Sequence, residues 1–424
     1  KENGITLHLA VDGISAPLVL ITGIVIFAGV FVSWNISYRN KDYFALLFLL
    51  VSGVFGVFLS FDLFFLFFFY EVAVLPMYLL IAVWGASSDF GTFTRTKEYG
   101  AMKLMLYLVA GSVLVFIAIL ATFVEADKGT FDLTVLGSVA YDENFQKTFF
   151  PFFMIGFGVL AGLWPFHTWS PDGHVAAPTA VSMLHAGVLM KLGAFGILRV
   201  GMTLMPEGAE FWAPALMTLG VTGALYGAIS ALAQKDLKYM VGYSSVSHMG
   251  YVLMGLATLN TIGVNGAVLQ MFAHGVMTAL MFTLVGAIYD QAHVRDMTIF
   301  GGLAQKTPRL AGFFAVAGLS SLGLPGLAGF IAEFHIFVGT FKTYPWAGVL
   351  GIAAAAITAT YILRMLAMAF FGPFNERWAE LKEMRRGEQF GGALLIAFIA
   401  FMGIWPAPFI DRIADSVRAI PGVS

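Results

Sequence analysis

Ionisable side chains set inside long apolar runs are the residues with chemistry to perform. Leu59 to Gly85 reads LSFDLFFLFFFYEVAVLPMYLLIAVWG, more than twenty nearly continuous hydrocarbon and aromatic side chains. One carboxylate, Glu71, lies near the middle, with Pro76 five residues on. A run of that length crosses a bilayer as a helix. A charge at that depth costs roughly 3 kcal/mol or more on insertion scales. A chain that keeps one uses it as a proton carrier, an ion ligand or half of a buried pair that locks two helices together. Other apolar runs carry His185 and Lys191 (HAGVLMKLGAFG), His248 (SSVSHMGY), His274 (QMFAHGVMTAL), Glu333 and His335 (GFIAEFHIFVG) and Arg364 (TYILRMLA). Lys238 stands at the start of a further run. Along the chain these read acid, base, histidines, acid, which is the set a proton wire needs. Burial brings carboxylates and amines toward the range where both exchange protons, and histidine begins there. Arginine does not release its proton, so Arg364 reads as a fixed counter-charge for Glu333. A lone histidine in an apolar helix is equally served by a backbone carbonyl, the reading taken for His185. Lys191 is about mid-span, out of reach of either surface. No His or carboxylate cluster has metal-ligand spacing.

These residues have to be positioned by membrane helices. The chain has 424 residues, 59% hydrophobic and only 11% charged, with mean hydropathy +0.84. Soluble domains are about a quarter charged, so the expected class is an all-α polytopic membrane protein with one membrane domain over 1–424. The net charge of −2 leaves no basic face for nucleic acid. With no cysteine there are no disulfides and no thiolate-held metal or iron–sulfur cluster. No cleavable signal peptide is evident in KENGITLHLAVDG.

Apolar runs predict about twelve spans, near 14–34, 43–60, 62–84, 100–124, 148–170, 176–199, 211–233, 239–258, 262–290, 309–341, 346–371 and 390–410. Loops after odd-numbered spans hold Arg39, Lys41, Arg95, Lys97, Lys235, Lys238, Arg295, Lys306, Arg377, Lys382, Arg385 and Arg386. Loops after even-numbered spans hold little beyond Lys128, Lys147 and Lys342. The positive-inside rule then makes the first set cytoplasmic and puts both termini outside. Two spans are interrupted, one at Pro165 in GLWPFHTWSPDGHVAAP and one at Gly323-Leu324-Pro325-Gly326. Proline removes a backbone donor and breaks the helix. Each break falls in the fourth helix of a five-helix unit, 43–199 and 211–371, with 390–410 left as a C-terminal span. An odd number of helices per unit inverts the second unit. Paired broken helices in inverted repeats point to an ion pathway.

The strings FFFYEVAVLPMYLLIAVWG, PFHTWSPDGHVAAPTAVSMLHAGVLMKLGAFGILR, AQKDLKYMVGYSSVSHMGYV, FAHGVMTALMFTLVGAIYD, HVRDM and SLGLPGLAGFIAEF resemble the antiporter-like chain M family of bacterial complex I, the proton-pumping NADH:quinone oxidoreductase. The resemblance runs from Asp12 onward and extends to Mrp-type cation/proton antiporters. It implies a fourteen-helix family fold of which this sequence begins just before the third helix. It also implies a bacterial inner-membrane location, neighbouring antiporter-like chains as partners, and flavin, iron–sulfur clusters and quinone carried by other subunits. By the same resemblance Glu71 matches an essential carboxylate, Lys191 the central relay lysine, His274 a relay histidine, Lys238 and His248 the start and interior of one helix, and Glu333 the terminal acid of the second broken helix. One position departs: where the family has a lysine that pairs with the fifth-helix glutamate, this chain has Leu160. The expected function is proton translocation by an antiporter-like subunit of a complex I-type enzyme. The alternatives are an Mrp-type antiporter subunit, a subunit of a membrane-bound hydrogenase or another quinone reductase, and a non-pumping scaffold, which Leu160 permits.

Overall fold

A computed structural model describes residues 4–89 and 93–424. The chain runs α1 (Ser15–Val32), α2 (Asn40–Leu59), α3 (Leu63–Trp84), a hairpin of β1 (Ser88–Asp89) and β2 (Thr94–Arg95), α4 (Lys97–Ala126), α5 (Leu133–Leu136), α6 (Glu143–Ala161) and α7 (Trp169–Ala176). There follow α8 (Thr179–Leu184), α9 (Met190–Gly196), α10 (Pro206–Ala233), α11 (Leu237–Ala257), α12 (Thr261–Ala292), α13 (Pro308–Ser321), α14 (Ala328–Thr343), α15 (Pro345–Phe370), α16 (Arg386–Ile404) and α17 (Ala407–Arg418). All twelve expected spans fall on helical segments. Among the described residues nine segments are long and apolar enough to cross a membrane unbroken, counting Thr179–Met202 as one. The other three expected spans fall on α6 with α7, on α11, and on α13 with α14.

Polar caps mark where several apolar runs begin. Asp62 accepts from the N–H groups of Phe64 and Phe65 ahead of α3, Asp236 from Lys238 and Tyr239 ahead of α11, and Asn260 from Gly263 ahead of α12. Each such cap contributes about 1 kcal/mol by satisfying N–H groups that the helix leaves unpaired. At the start of α1, Asp12 accepts from Ile14 N and Ser15 N (3.0 and 2.9 Å) and from the Arg199 guanidinium. Burial pushes the Asp12 carboxyl up, but Arg199 and the Ser15 N–H outweigh it and hold it below its ordinary value.

Helices differ sharply in how much of them the protein covers. The segments Thr179–Met202 and Thr261–Ala292 are wholly buried through their apolar windows, whereas the peripheral spans are 39–50% buried. Every residue of α11 except Tyr243 is buried. Small residues let these central helices meet closely: a Cβ on Gly250 would lie 2.5 Å from Ala224 N, and one on Gly227 2.5 Å from Ser247 N.

The interruptions are where the sequence placed them. α6 ends at Gly162 (φ 79°), residues 163–168 are non-helical with a cis Trp164–Pro165 peptide, and α7 then runs for two turns before Ala177 and Pro178 end it. α13 ends at Leu322, and α14 begins after Gly323 (φ 75°) and Gly326 (φ 92°). Pro165 and Phe166 in the first break, and Leu324 to Gly326 in the second, are exposed. The C-terminal expectation needs correction. The last span ends at Ile404, and Pro406 starts a separate helix, α17, instead of extending the crossing. α17 buries Phe409, Ile413, Ala414 and Val417 and leaves Asp411, Arg412, Asp415 and Arg418 on its outer side.

Candidate proton-relay site

Four of the six predicted residues converge at the centre of the protein. Lys191 lies on α9, directly after a π-helical turn, His185–Leu189. Its ammonium donates to the Ala186 carbonyl, five residues back, and lies 2.7 Å from His274 Nδ1 on α12. Such widened turns free a carbonyl from the helix ladder and cluster at functional sites. The His274 ring stacks on His248 of α11 at 5.1 Å and 15°. His248 Nδ1 meets the Ser244 carbonyl at 2.8 Å and Nε2 the Ser321 carbonyl at 3.1 Å, which is the last turn of α13 at the second break. Its Nε2 is also 3.6 Å from Glu333 Oε1 on α14. Lys191, His274, His248 and Glu333 thus form one row across four helices, all at most 5% exposed.

The second break supports the acid end. Gly323 has a left-handed φ, and a Cβ there would sit 2.8 Å from Glu333 Oε2. Glycine is required for its backbone angle, and a Cβ would in addition make the end of the Glu333 side chain shift. Gly323→Ala is expected to cost about 1–2 kcal/mol in backbone strain alone and to push Glu333 from His248. A lowered apparent melting temperature with reduced turnover-linked proton uptake checks this; unchanged uptake would show that the contact is dispensable.

Lys238 lies apart from the row. Its ammonium donates to the carbonyls of Ala177 (2.8 Å) and Val175 (3.4 Å), where α7 ends and presents unpaired acceptors. It lines a 210 Å³ crevice with Ser33, Trp84, Pro178, Tyr289 and Asp290. Between Lys238 and Lys191 lie two buried histidines. The rings of His174 and His185 are 3.9 Å apart, His174 Nε2 meets Ser170 Oγ at 3.0 Å, and His185 stacks on Trp169 at 5.1 Å. His174 is within electrostatic range of both lysines, and His185 of Lys191. The carbonyl partner expected for His185 is not found: among the described residues neither ring nitrogen has a hydrogen-bond partner.

Glu71 is not joined to this row. It sits on α3 beside Ser112, its Oε1 has no hydrogen-bond partner among the described residues, and it lines an apolar groove with Phe64, Phe67, Phe116 and Leu120. Leu160 is fully buried and supplies no charge. One further expectation is corrected, and one histidine takes the ordinary partner of its kind. Arg364 donates to the Leu232 carbonyl (2.6 Å) and does not serve Glu333. His335 is satisfied by the Ile331 carbonyl of its own helix at 2.7 Å. Sequence reasoning missed Asp172, which is 5% exposed and accepts from Arg95 (2.5 Å), Lys103 (2.8 Å) and Tyr239 (3.1 Å). These contacts fix α7 to the hairpin, α4 and α11. A carboxylate inside the apolar-flanked string WSPDGHVAAP was the available signal.

Known proteins share this architecture. The family described as NADH:quinone oxidoreductase/Mrp antiporter, transmembrane, matches residues 60–358. NADH-quinone oxidoreductase subunit M of Pseudomonas aeruginosa is 38% identical, over 98% of this chain and 82% of that protein. NAD(P)H-quinone oxidoreductase chain 4 3 of a Picosynechococcus species is 39% identical, over 87% of this chain and 67% of that protein. A chain in the structure of respiratory complex I from Thermus thermophilus superposes with a TM-score of 0.92 at 27% identity, covering 99% of this chain and 86% of that one. A chain of the Mrp complex from a Dietzia species shares the fold, with a TM-score of 0.87 at 17% identity, covering 99% and 86%. Fold and matches together define a polytopic, antiporter-like membrane subunit. The chain belongs to the NADH:quinone oxidoreductase/Mrp antiporter membrane family.

Proposed function

We propose that this chain moves protons across the membrane as the antiporter-like subunit of a complex I-type NADH:quinone oxidoreductase. The observation that carries the reading is the buried row Lys191–His274–His248–Glu333, its first two members on segments the protein covers completely. Every member can gain and lose a proton; Lys191 and His274 are at hydrogen-bond distance, His248 and Glu333 are 3.6 Å apart, and His274 and His248 meet by ring stacking, a step that a water or a ring movement must bridge. Ionisable groups held this way in a membrane mark proton relays. The crevice at Lys238 serves as the cytoplasmic intake, with His174 and His185 leading to Lys191. Glu71 is a separate titrating carboxylate of the first half, unconnected to the central row. The termini lie outside, as the Lys and Arg distribution has it. Electron transfer, with its flavin, iron–sulfur clusters and quinone, belongs to other subunits, and this chain's part is proton movement alone.

The Mrp-type reading is the competitor, since the fold serves both assemblies. Purified assembly in sealed vesicles separates them. Quinone-dependent proton transfer that is indifferent to sodium is the expected result. Sodium-driven pH changes without quinone reductase activity would replace the reading, and mass spectrometry of the same preparation identifies the partners.

A further inference from the structure

A proton on Lys191 has two ways out, and the structure closes one of them. The lateral way is His274, 2.7 Å from the ammonium. The direct way follows Lys191's own helix toward the end of the molecule where α1 starts. That end lies opposite the Lys238 crevice, because α1 runs from Asp12 at one to Ser33, which lines the crevice, at the other. Phe195 stands four residues beyond Lys191 on its helical face, and Arg199 four residues beyond Phe195, inside a second π-helical segment, Ile197–Met202. Eight α-helical residues span about 12 Å, an upper bound where the wider turn shortens the rise.

Phe195 is 1% exposed and packs edge-on against Phe58 at 5.2 Å. Arg199 is 8% exposed, and its guanidinium carbon lies 5.0 Å from the Phe61 ring centre and 5.5 Å from that of Phe195. One Nη donates to Asp12, while the buried Nε has no partner. The Asp12 side chain is 26% exposed and that of Arg199 10%. The carboxylate is therefore the water-facing half of the pair and the cation the inward half. A guanidinium does not give up its proton, and a fixed cation in a narrow path excludes protons and other cations.

We infer that Arg199, clamped between Phe61 and Phe195 and anchored by Asp12, is an electrostatic plug that blocks direct proton exchange between Lys191 and the outer surface. A proton loaded on Lys191 then leaves only sideways, through His274 and His248 to Glu333, and external protons cannot run back to Lys191. Arg199 is a positioning residue for the direction of transfer, and its role rests on the relay proposed above.

The test is passive proton leak into vesicles holding the whole assembly, with no electron donor and an imposed pH gradient. Arg199→Met is expected to raise the leak about tenfold, the factor for a unit charge acting over ~12 Å at an effective dielectric near 20. Adding Lys191→Met is expected to return it to baseline, because the opened route ends there. Arg199→Lys is expected to stay tight. Asp12→Asn breaks the ion pair but leaves the cation in place, so it also stays tight, whereas a purely structural latch would make it leak like Arg199→Met. A tight Arg199→Met in an assembled complex, or a leaky Asp12→Asn, overturns the plug. If Arg199→Met does not assemble, Asp12→Asn and Arg199→Lys decide alone. Normal pumping by Lys191→Met would instead remove the relay itself, a separate failure.

Discussion

Lys191→Met is expected to cut turnover-linked proton transfer through this chain by about a hundredfold or more, the range for removing a positioned proton-transfer group. Electron transfer in the assembly should continue, with fewer protons moved per electron. Methionine fills much of the same volume, so the loss is chemical. It removes the group that touches both the Ala186 carbonyl and His274, the junction between the intake and the lateral row. Stability is expected to fall by about 1–3 kcal/mol at most, because the Ala186 carbonyl and His274 Nδ1 lose their buried partner. Proton-to-electron ratios in vesicles, beside a thermal melt, read both effects. A wild-type ratio would end the relay reading.

Glu333→Gln has the second large expected effect. Glutamine keeps the shape that fills the space against Gly323 but cannot ionise. The row then ends at His248, whose Nε2 lies 3.6 Å from the Glu333 oxygen that can no longer take up the proton. Pumping is expected to fall by a similar ~10² factor with assembly intact, and Glu333→Asp should fall between, because a shorter side chain keeps the charge and lengthens the gap. Equal pumping by Glu333→Gln and wild type would move the outlet elsewhere.

Much of this was legible in the sequence because hydrocarbon thickness and the expense of buried charge leave strong one-dimensional marks. All twelve apolar runs fall on helical segments, nine of them long and apolar enough to cross a membrane unbroken among the described residues, and Pro165 and Gly323–Gly326 marked both breaks. Lys191, His274 and Glu333 stood out as ionisable groups with no short way to water. Pairings were the illegible part, since period and composition do not say which helices face each other. Arg364 is in an apolar run like Glu333, yet it reaches α10 and Leu232. Asp172 and His174 were overlooked because polar residues beside prolines read as loop, whereas the short α7 carries them into the interior. α17 escaped the search for apolar runs because its charges alternate with its buried residues at helical spacing.

The exposed segments at Pro165–Phe166 and Leu324–Gly326 carry an obligation that reaches past this polypeptide. Acyl chains offer no hydrogen bonds, and irregular main chain touching them loses several kcal/mol for each peptide group left bare. Wherever these segments meet the hydrocarbon of a bilayer, main chain without a partner needs other protein or trapped solvent against it. Assembly with other membrane subunits is the state that would supply such cover.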